Sequence, residues 1–233
     1  MSSSAHFHFV RRIRTARRLI AKIFFRILGP LNSFFQPGKK IYSIKAGYHH
    51  AKSALDFDDR GNRDEWQKDV YLFASSIMKE RNFSSVIDFG CGSAYKLINY
   101  LGEYVTTGID LPEITQWLVS KYPERKWVTA PVKDHGVLEA DLIICSDTIE
   151  HIEKPEKLIE EIRNIKSSLI LFSTPERNGI AGKYDFGPPE NPSHYREWNV
   201  TEFRNWLSGY FDIEDQRIFN GRSVTQVIVC KKY

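Results

Sequence analysis

The residues best suited to chemistry in this sequence are two glycines and an acid that follows them. Gly90 and Gly92 come directly after the apolar run 84–89, and Asp110 ends the next apolar run, 20 residues after Gly90. Glycines at a turn let a ligand approach the backbone closely, and an acid at the tip of the next strand accepts hydrogen bonds from both hydroxyls of a ribose. This spacing predicts a site for a nucleotide-like ligand.

A second group combines acids and a histidine in the stretch Asp147-Thr148-Ile149-Glu150-His151. Positions i, i+3 and i+4 share one face of a helix, so Asp147, Glu150 and His151 can converge on a divalent cation such as Mg²⁺. With His194 as a fourth ligand, these residues form a candidate metal site. The alternative is that the Glu-His pair only begins a helix and forms a pocket wall.

His194 is also the best candidate for a general base, because an imidazole accepts a hydroxyl proton near neutral pH. It lies in segment 174–199, which shows no regular pattern and is rich in aromatic residues and proline. Loops of this length are usually functional or disordered, and the aromatic residues favour a packed lid. A purely structural, hydrogen-bonded role in that lid is the alternative for His194.

The same segment supplies the candidates for binding a substrate, which are Tyr184, Tyr195, Arg196 and Trp198. Tyr195 and Trp198 are predicted to stack on the face of a sugar ring, and Arg196 to bind a phosphate or carboxylate. Each role has a structural alternative: the rings can form the core of the lid, and Arg196 can pair with Glu190 or Glu197.

The elements that position these residues alternate between strands and helices. We predict strands at 84–89, 104–109, 126–130, 141–146 and 168–173, and helices at 64–81, 94–101, 113–121 and 155–165. Trp66 is expected on the buried face of the first helix. Such alternation predicts an α/β fold with a parallel sheet and helices on both faces.

The C-terminal part of the chain has a different pattern. A helix at 200–208 precedes strands at 211–218 and 224–230, and Asn220-Gly221 lies between the two strands. An Asn-Gly pair between apolar runs is a strong hairpin signal. The sheet is therefore expected to have seven strands, mostly parallel, with an antiparallel C-terminal hairpin.

The charge is divided between the two ends of the chain. Residues 1–55 hold 11 Lys/Arg and no Asp/Glu, whereas residues 56–233 hold 22 Lys/Arg and 29 Asp/Glu. Because the larger part is acidic, no nucleic-acid partner is expected. Three acids in the linker, Asp56, Asp58 and Asp59, do not match the spacing of an EF-hand, so a solvated turn is expected there.

Residues 9–35 place apolar side chains at helical spacing among arginines and a lysine. Such a basic amphipathic helix can bind an anionic membrane surface, pack on its own domain or on a partner subunit, or serve as a mitochondrial transit peptide. The sequence leaves these three interpretations open. The following segment, 36–63, is typical of a linker that folds over a site.

The cysteines and the apolar runs indicate a compartment. Cys91, Cys145 and Cys230 lie in or beside predicted strands without a CxxC pair, which favours buried thiols in a reducing, cytoplasmic environment. The sequence contains no run of 18 apolar residues, so no transmembrane helix is expected. Charged residues interrupt the apolar stretch near the N-terminus, so no signal peptide is expected either. The basic helix is compatible with a peripheral position on a membrane.

The glycine turn excludes two classes of nucleotide-binding protein. A dinucleotide-binding dehydrogenase has a third glycine where this chain has Tyr95, which is too bulky for close packing of helix on strand. A phosphate-binding P-loop requires Gly-Lys and then Ser or Thr after four intervening residues, and the sequence lacks this pattern.

Five stretches of the chain resemble the class I S-adenosylmethionine-dependent methyltransferases. They are Asp88-Phe89-Gly90-Cys91-Gly92-Ser93, Gly108-Ile109-Asp110-Leu111, Asp141-Leu142-Ile143-Ile144-Cys145-Ser146-Asp147, Ile149-Glu150-His151-Ile152 and Phe172-Ser173-Thr174-Pro175. The resemblance covers about residues 64–233 and implies a Rossmann-like fold. It defines a methyltransferase domain there and leaves residues 1–63 as a basic amphipathic helix and linker.

The resemblance also implies which residues bind S-adenosylmethionine. In such a site Asp88 orients the amino group, Asp110 holds the ribose hydroxyls and Leu111 packs on the adenine. The implied cofactor-binding set is Asp88, Gly90, Cys91, Gly92, Asp110, Leu111 and Ser146. The catalytic candidates are Asp147, His151 and His194.

Three hypotheses for the function follow. Residues 187–198 are similar to a stretch in methyltransferases that modify sugars and bacterial glycans, which favours O-methylation of a sugar, a glycan or a lipid-linked intermediate. The Asp-x-x-Glu-His cluster resembles that of ubiquinone-biosynthesis O-methyltransferases, although these have Glu in the first position, and it favours a Mg²⁺-dependent reaction on a quinone or other aromatic acceptor. The third hypothesis is a cofactor-binding assembly module without catalysis.

Overall fold

The computed structural model describes residues 40–55, 58–64, 66–132 and 135–233, together with Ile20 and Phe24. The basic helix predicted at 9–35 therefore lies outside the described residues, apart from those two. Among the helices that are described, none combines the length and the apolar composition that crossing a lipid bilayer requires.

Strands and helices alternate along the chain as the sequence predicts. The strands are β1 (Ser85–Phe89), β2 (Val105–Asp110), β3 (Lys126–Thr129), β4 (Glu139–Ser146), β5 (Lys166–Pro175), β6 (Asp212–Asn220) and β7 (Val224–Lys231). The α-helices are α1 (Lys68–Glu80), α2 (Tyr95–Leu101), α3 (Pro112–Lys121), α4 (Pro155–Asn164), α5 (Arg177–Ala181) and α6 (Val200–Leu207). Short 3-10 helices span Ile41–Ser43 and Ile149–His151.

The seven strands form one sheet in the order β3-β2-β1-β4-β5-β7-β6. Strands β1 to β5 are parallel, and β7 pairs antiparallel with both β5 and β6. This arrangement confirms the predicted fold class. The strand order reverses direction between β1 and β4, and ligands of such sheets bind in the crevice at the carboxyl ends of the strands beside that point.

Apolar side chains pack on both faces of the sheet. One cluster takes Met78, Leu101 and Leu118 from α1, α2 and α3, and the other takes Ile159 and Phe203 from α4 and α6. Helices therefore cover both faces, as expected. The three cysteines are buried free thiols, which confirms their predicted role.

Helix α1 begins at Lys68 and not at residue 64. Gln67, directly before it, has a left-handed φ of 57°, so the helix cannot extend past this residue toward the N-terminus. Trp66 is consequently not on the buried helix face where the periodicity placed it, because its side chain is 40% exposed.

The described part of segment 36–63 is packed on the domain. The backbone N–H groups of His49, Ala51 and Leu55 donate to carbonyl oxygens of residues 186, 195 and 192 at 2.8, 2.8 and 2.9 Å. Ile44 and Tyr48 belong to the hydrophobic core. The described part of the segment packs on the lid and contributes side chains to the core of the domain.

Segment 174–199 is more regular than the sequence suggests. Strand β5 extends to Pro175, which pairs with Thr225 of β7, and helix α5 follows at once. The remainder has no regular elements, yet Phe186, Ser193 and His194 are buried. The predicted packed lid is therefore present, and it begins later than residue 174.

Candidate active site

A cavity of about 1210 Å³ opens at the carboxyl ends of the parallel strands. It extends from the glycine turn after β1, past the end of β4, to the lid. The cavity brings together ten of the residues that the sequence singled out: Gly90, Cys91, Asp110, Leu111, Ser146, Asp147, Glu150, His151, His194 and Tyr195.

The glycine turn is shaped by its neighbours. Gly90 has a φ of +82° and Gly92 a φ of +51°, and a Cβ atom added at Gly90 would overlap the side chain of Thr148. The Gly92 N–H donates to Asp110 Oδ2 at 2.7 Å, and the Leu111 N–H donates to Asp110 Oδ1 at 2.7 Å. Burial raises the pKa of Asp110, although these two hydrogen bonds oppose the shift. The acid that ends β2 is thus held against the turn, as its spacing predicts.

Asp88 lies beneath the turn and is almost completely buried. The Tyr71 hydroxyl donates to its Oδ2 atom at 2.8 Å, while Oδ1 has no hydrogen-bond partner among the described residues. Burial raises the pKa of Asp88 to about 7. An unpartnered buried carboxylate oxygen is an acceptor that favours a cationic donor.

Asp59 corrects the prediction of a solvated acidic turn. Asp58 is exposed and pairs with Arg60 at 2.7 Å, as a surface turn requires, but the Asp59 carboxylate lies against the glycine turn. A Cβ atom added at Gly92 would overlap it. The pKa of Asp59 is raised to about 6, mainly because the carboxylate is buried and secondly because the Asp110 carboxylate is near. The spacing of the three acids carried no signal of this contact between residues 33 positions apart.

The side of the cavity next to β2 and β3 is apolar. Leu111 is 60% exposed, and it lines the cavity together with Ile114 and Ala130. An exposed leucine beside carboxylates suits a flat, uncharged ring. Acids at the glycine turn and an apolar wall beside them fit a nucleoside that carries positive charge.

Asp147, at the end of β4, is held in a constrained geometry. Its φ of 47° lies in the left-handed region, which is costly for a residue with a Cβ atom and is found mostly at functional sites. The Ser173 hydroxyl donates to its Oδ1 at 2.6 Å and the Gln67 amide to its Oδ2 at 3.0 Å. Ser146 Oγ also contacts Ser173 Oγ at 2.9 Å, so Ser173 links both predicted pocket residues.

His194 is part of a hydrogen-bonded pair with Glu197, a residue that sequence analysis considered only as a partner for Arg196. His194 Nδ1 lies 2.8 Å from Glu197 Oε1, and His194 Nε2 lies 2.9 Å from Asn191 Nδ2. These partners assign the proton to Nδ1 and the lone pair to Nε2. Both side chains are buried and both line the cavity. A histidine oriented by a carboxylate is the arrangement of a general base.

Three of the four predicted metal ligands converge. Glu150, His151 and His194 each offer a ligand atom, and these atoms lie within 4.8 Å of one another. Glu150 is 0% exposed, and neither carboxylate oxygen has a hydrogen-bond partner among the described residues. Asp147 lies outside this group, because Ser173 and Gln67 hold its carboxylate.

His151 has the orientation that a ligand would need. Its Nδ1 lies 2.9 Å from the carbonyl oxygen of Ser193, to which it donates, so the lone pair is on Nε2. Burial lowers the pKa of His151 to about 4, which keeps the ring neutral at pH 7.

Two of the predicted substrate-binding residues are structural instead. Arg196 donates to the carbonyl oxygens of Ile152 and Glu153, both at 2.6 Å, and pairs with neither of the acids considered for it. Trp198 is 0% exposed and stacks on Trp206 at a centroid distance of 5.4 Å. Both therefore hold the lid on the domain. Tyr184 is exposed to solvent and does not line the cavity. Of the four predicted substrate-binding residues, Tyr195 alone lines the cavity.

Trp66, Ile180 and Arg222 are among the further lining residues that sequence analysis did not place in a site. Trp66 and Ile180 expose apolar surface at the cavity, and the Arg222 guanidinium lies 4.9 Å above the centre of the Trp66 ring. They come from the segment before α1, from α5 and from the β6–β7 turn. No sequence pattern joins elements so far apart.

The fold and the cavity define a class of protein. A mostly parallel seven-stranded sheet with an antiparallel final strand, a glycine turn after β1 and an acid at the end of β2 is suited to binding a nucleoside at the carboxyl ends of its strands. A family model described as "Methyltransferase domain" matches residues 59–223. The chain therefore belongs to the methyltransferase family, the class I S-adenosylmethionine-dependent type that its motifs resemble.

Comparison with solved structures supports the same fold. Magnesium protoporphyrin IX methyltransferase from Synechocystis PCC 6803 is 15% identical with a TM-score of 0.57, over 78% of this chain and 90% of that one. The 1,6-didemethyltoxoflavin-N1-methyltransferase of Burkholderia thailandensis is 19% identical with a TM-score of 0.56, over 78% and 93%. Human N-acetylserotonin methyltransferase is 18% identical with a TM-score of 0.52, over 72% and 52%. No curated protein matches the sequence.

Proposed function

We propose that this protein transfers a methyl group from S-adenosylmethionine to a hydroxyl of a sugar-containing acceptor. The observation that carries the proposal is that one cavity joins the glycine turn and Asp110 to the His194–Glu197 pair. The names of the structural neighbours refer to different methyl acceptors, so the proposed acceptor rests on the residues of this chain.

The cofactor end of the cavity fits S-adenosylmethionine, whose sulfonium supplies an electrophilic methyl group. Asp110 offers its oxygens to the ribose hydroxyls, and Leu111 offers an exposed apolar face to the adenine. The negative charge of Asp59, Asp88 and Asp110 favours a ligand with positive charge. Several titratable groups with displaced pKa values in one cavity are typical of a functional site.

At the other end, His194 removes the proton of the acceptor hydroxyl. Glu197 accepts the hydrogen bond from Nδ1, which keeps the lone pair on Nε2 and stabilises the charged imidazole after proton transfer. Asn191, which donates to Nε2, is an exposed residue, so an acceptor hydroxyl can take its place. The lid holds this pair in position, and alignment of the reacting groups contributes several kcal/mol.

The acceptor is bound by the wall that Trp66, Ile180 and Arg222 form. An exposed indole ring stacks on the apolar face of a sugar. The Arg222 guanidinium beside it suits a phosphate, which nucleotide sugars and lipid-linked sugars carry.

The test is transfer of labelled methyl from S-adenosylmethionine to a panel of nucleotide sugars, lipid-linked sugars and catechols. We expect label in a sugar hydroxyl, and we expect Trp66→Ala to raise KM for that acceptor more than it lowers kcat. Label in catechols alone would favour the aromatic alternative. Binding of S-adenosylhomocysteine without transfer to any acceptor would favour the assembly module.

A metal-assisted reaction is the second candidate, and the convergence of Glu150, His151 and His194 favours it. A divalent cation held by these residues would lower the pKa of the acceptor hydroxyl. Two imidazoles and one carboxylate suit Zn²⁺ or another transition metal better than Mg²⁺, which prefers oxygen ligands. Activity that survives EDTA supports His194 as the base, whereas activity lost with EDTA and restored by one cation supports the metal.

We further propose that residues 9–35 bind an anionic membrane surface, which would bring the domain to a lipid-linked acceptor. The charge of the arm and the spacing of its apolar residues support this. In a flotation assay with vesicles that contain anionic lipid, we expect the full chain to float with the vesicles and a chain that begins at residue 40 to remain in the lower fractions. Equal flotation of both chains would contradict the proposal.

A further inference from the structure

Segment 58–64 lies across the glycine turn and is fastened to it. The Ser93 hydroxyl donates to the carbonyl oxygen of Asn62 at 2.7 Å, and the Tyr100 hydroxyl donates to Asp64 Oδ1 at 2.8 Å. Within the segment the Asn62 N–H donates to the carbonyl oxygen of Asp59 at 2.7 Å, which closes a turn. These contacts fix the backbone of Asp59 above the turn.

The Asp59 side chain points into the turn. Its carboxylate fills the space where a Cβ atom of Gly92 would be, so the absence of a side chain at Gly92 makes room for it. The position of Asp59 is therefore specified from both sides, by the fastened segment and by the glycine.

Three carboxylates surround the turn, and among the described residues Lys96 is the cation that acts on two of them, Asp59 and Asp88. Lys96 opposes the rise in pKa of both Asp59 and Asp88, while Asp110 adds to it. In the part of the chain that the structure describes, one lysine beside three acids leaves an excess of negative charge, which a bound cation relieves.

We infer that Asp59 binds the α-ammonium group in the amino-acid part of S-adenosylmethionine. The inference rests on the proposed function. The resemblance gives this ammonium group to Asp88, and Asp59 is a second carboxylate for it that neither the motifs nor the family resemblance indicates. The ammonium is the cationic group of that ligand that has N–H donors, whereas the sulfonium has none. Asp110 already accepts two backbone hydrogen bonds, and the apolar wall beside Leu111 suits the base, so the amino-acid part lies toward Asp59.

The experiment is calorimetric titration with S-adenosylhomocysteine and with its deaminated analogue, which lacks only the amino group. The proteins are the wild type, Asp59→Asn and the matched control Asp58→Asn, whose carboxylate is exposed and pairs with Arg60. We expect Asp59→Asn to bind S-adenosylhomocysteine about tenfold or more weakly than the wild type, as for loss of a charged hydrogen bond. We expect Asp58→Asn to match the wild type.

The analogue separates a direct contact from a structural effect. In the wild type, loss of the amino group should weaken binding about tenfold or more, and in Asp59→Asn it should weaken binding much less, because the two changes remove the same interaction. The inference would be overturned if removal of the amino group weakened binding equally in the wild type and in Asp59→Asn. It would also be overturned if Asp59→Asn bound S-adenosylhomocysteine with the affinity of the wild type. If the wild type binds neither ligand, the proposed function fails instead. Equal affinity of the wild type for the two ligands would also overturn the inference, and this outcome does not depend on whether Asp59→Asn folds.

Discussion

At the scale of the residue, the proposed reaction depends on a proton that His194 would accept. His194 lines the cavity, Asn191 lies 2.9 Å from its Nε2 atom, and Glu197 holds the other nitrogen. We expect His194→Gln to lower kcat by about 10²–10⁴-fold, the range that general-base catalysis contributes, while the affinity for S-adenosylhomocysteine stays the same. Steady-state kinetics and calorimetry measure the two quantities.

The control for that variant is His135→Gln, because His135 is exposed. It should keep the kcat of the wild type. A His194→Gln protein that loses cofactor affinity in parallel with kcat would contradict the role of base and would indicate collapse of the lid.

Asp88 gives a prediction about pH and stability. Burial raises the pKa of Asp88 to about 7 in the folded protein, above the value of about 4 expected when unfolded. Between these values the folded state binds more protons than the unfolded state, so the free energy of unfolding falls as pH rises from about 4 to 7. Asp88→Asn removes this cost and should raise Tm at pH 8 by about 4 °C or more, with little change at pH 5.

Asp141 is the control with the opposite sign. Hydrogen bonds from the Ser84 and Ser85 backbone and hydroxyls lower the pKa of Asp141, so its stabilising effect is present above pH 4 and is lost as pH falls through its pKa. Asp141→Asn should therefore lower Tm at pH 8. A decrease of Tm in Asp88→Asn at pH 8 would show that the buried carboxylate stabilises the fold.

At the scale of the element, the lid is anchored through Arg177 at the start of α5. Its guanidinium is fully buried, lies 2.8 Å from Glu202 Oε2 and donates to the carbonyl oxygen of Glu197 at 2.9 Å. Arg177→Met leaves Glu202 as an uncompensated buried charge, so we expect the free energy of unfolding to fall by about 3–5 kcal/mol in urea titrations. Adding Glu202→Gln should recover part of that loss.

An exposed ion pair provides the comparison. Lys166 and Glu139 lie 2.7 Å apart, but both side chains are more than half exposed. Lys166→Met should change the free energy of unfolding by less than about 1 kcal/mol. If Lys166→Met and Arg177→Met lowered the free energy of unfolding by similar amounts, burial of the Arg177–Glu202 pair would contribute nothing to its effect on stability.

The type and order of the elements could be predicted from the sequence, because apolar runs and helical spacing repeat along the chain. No sequence pattern predicts helix α5, and the other errors lie at the ends of elements. Gln67 breaks the helix through its left-handed backbone, and β5 continues through Pro175 because Pro175 pairs with Thr225 of β7. Such ends depend on tertiary contacts that local patterns do not contain.

At the scale of the whole molecule, the site combines residues that are far apart in sequence. The places of Asp88 and Asp110 beside the glycine turn could be predicted, because both acids lie at the carboxyl ends of their strands. Asp59, Trp66 and Arg222 could not, since their positions follow from how the segment before α1 and the β6–β7 turn fold over the cavity. The types of Trp198 and Arg196 suit a substrate, because residue type shows what a side chain can bind. The direction of each side chain is set by packing, and packing turns both into the domain.

The same packing predicts where the functional unit begins. Ile44 and Tyr48 are core residues, and Leu55 and Asp59 line the cavity, so a chain of residues 40–233 should bind S-adenosylhomocysteine with the affinity of the full chain. A chain of residues 64–233 loses these contacts and the hydrogen bonds to the lid, and we expect a lower Tm and at least tenfold weaker binding. Calorimetry and thermal unfolding of both chains provide the measurement. Equal affinity would show that residues 40–63 are dispensable and that the boundary predicted at residue 64 is the functional one.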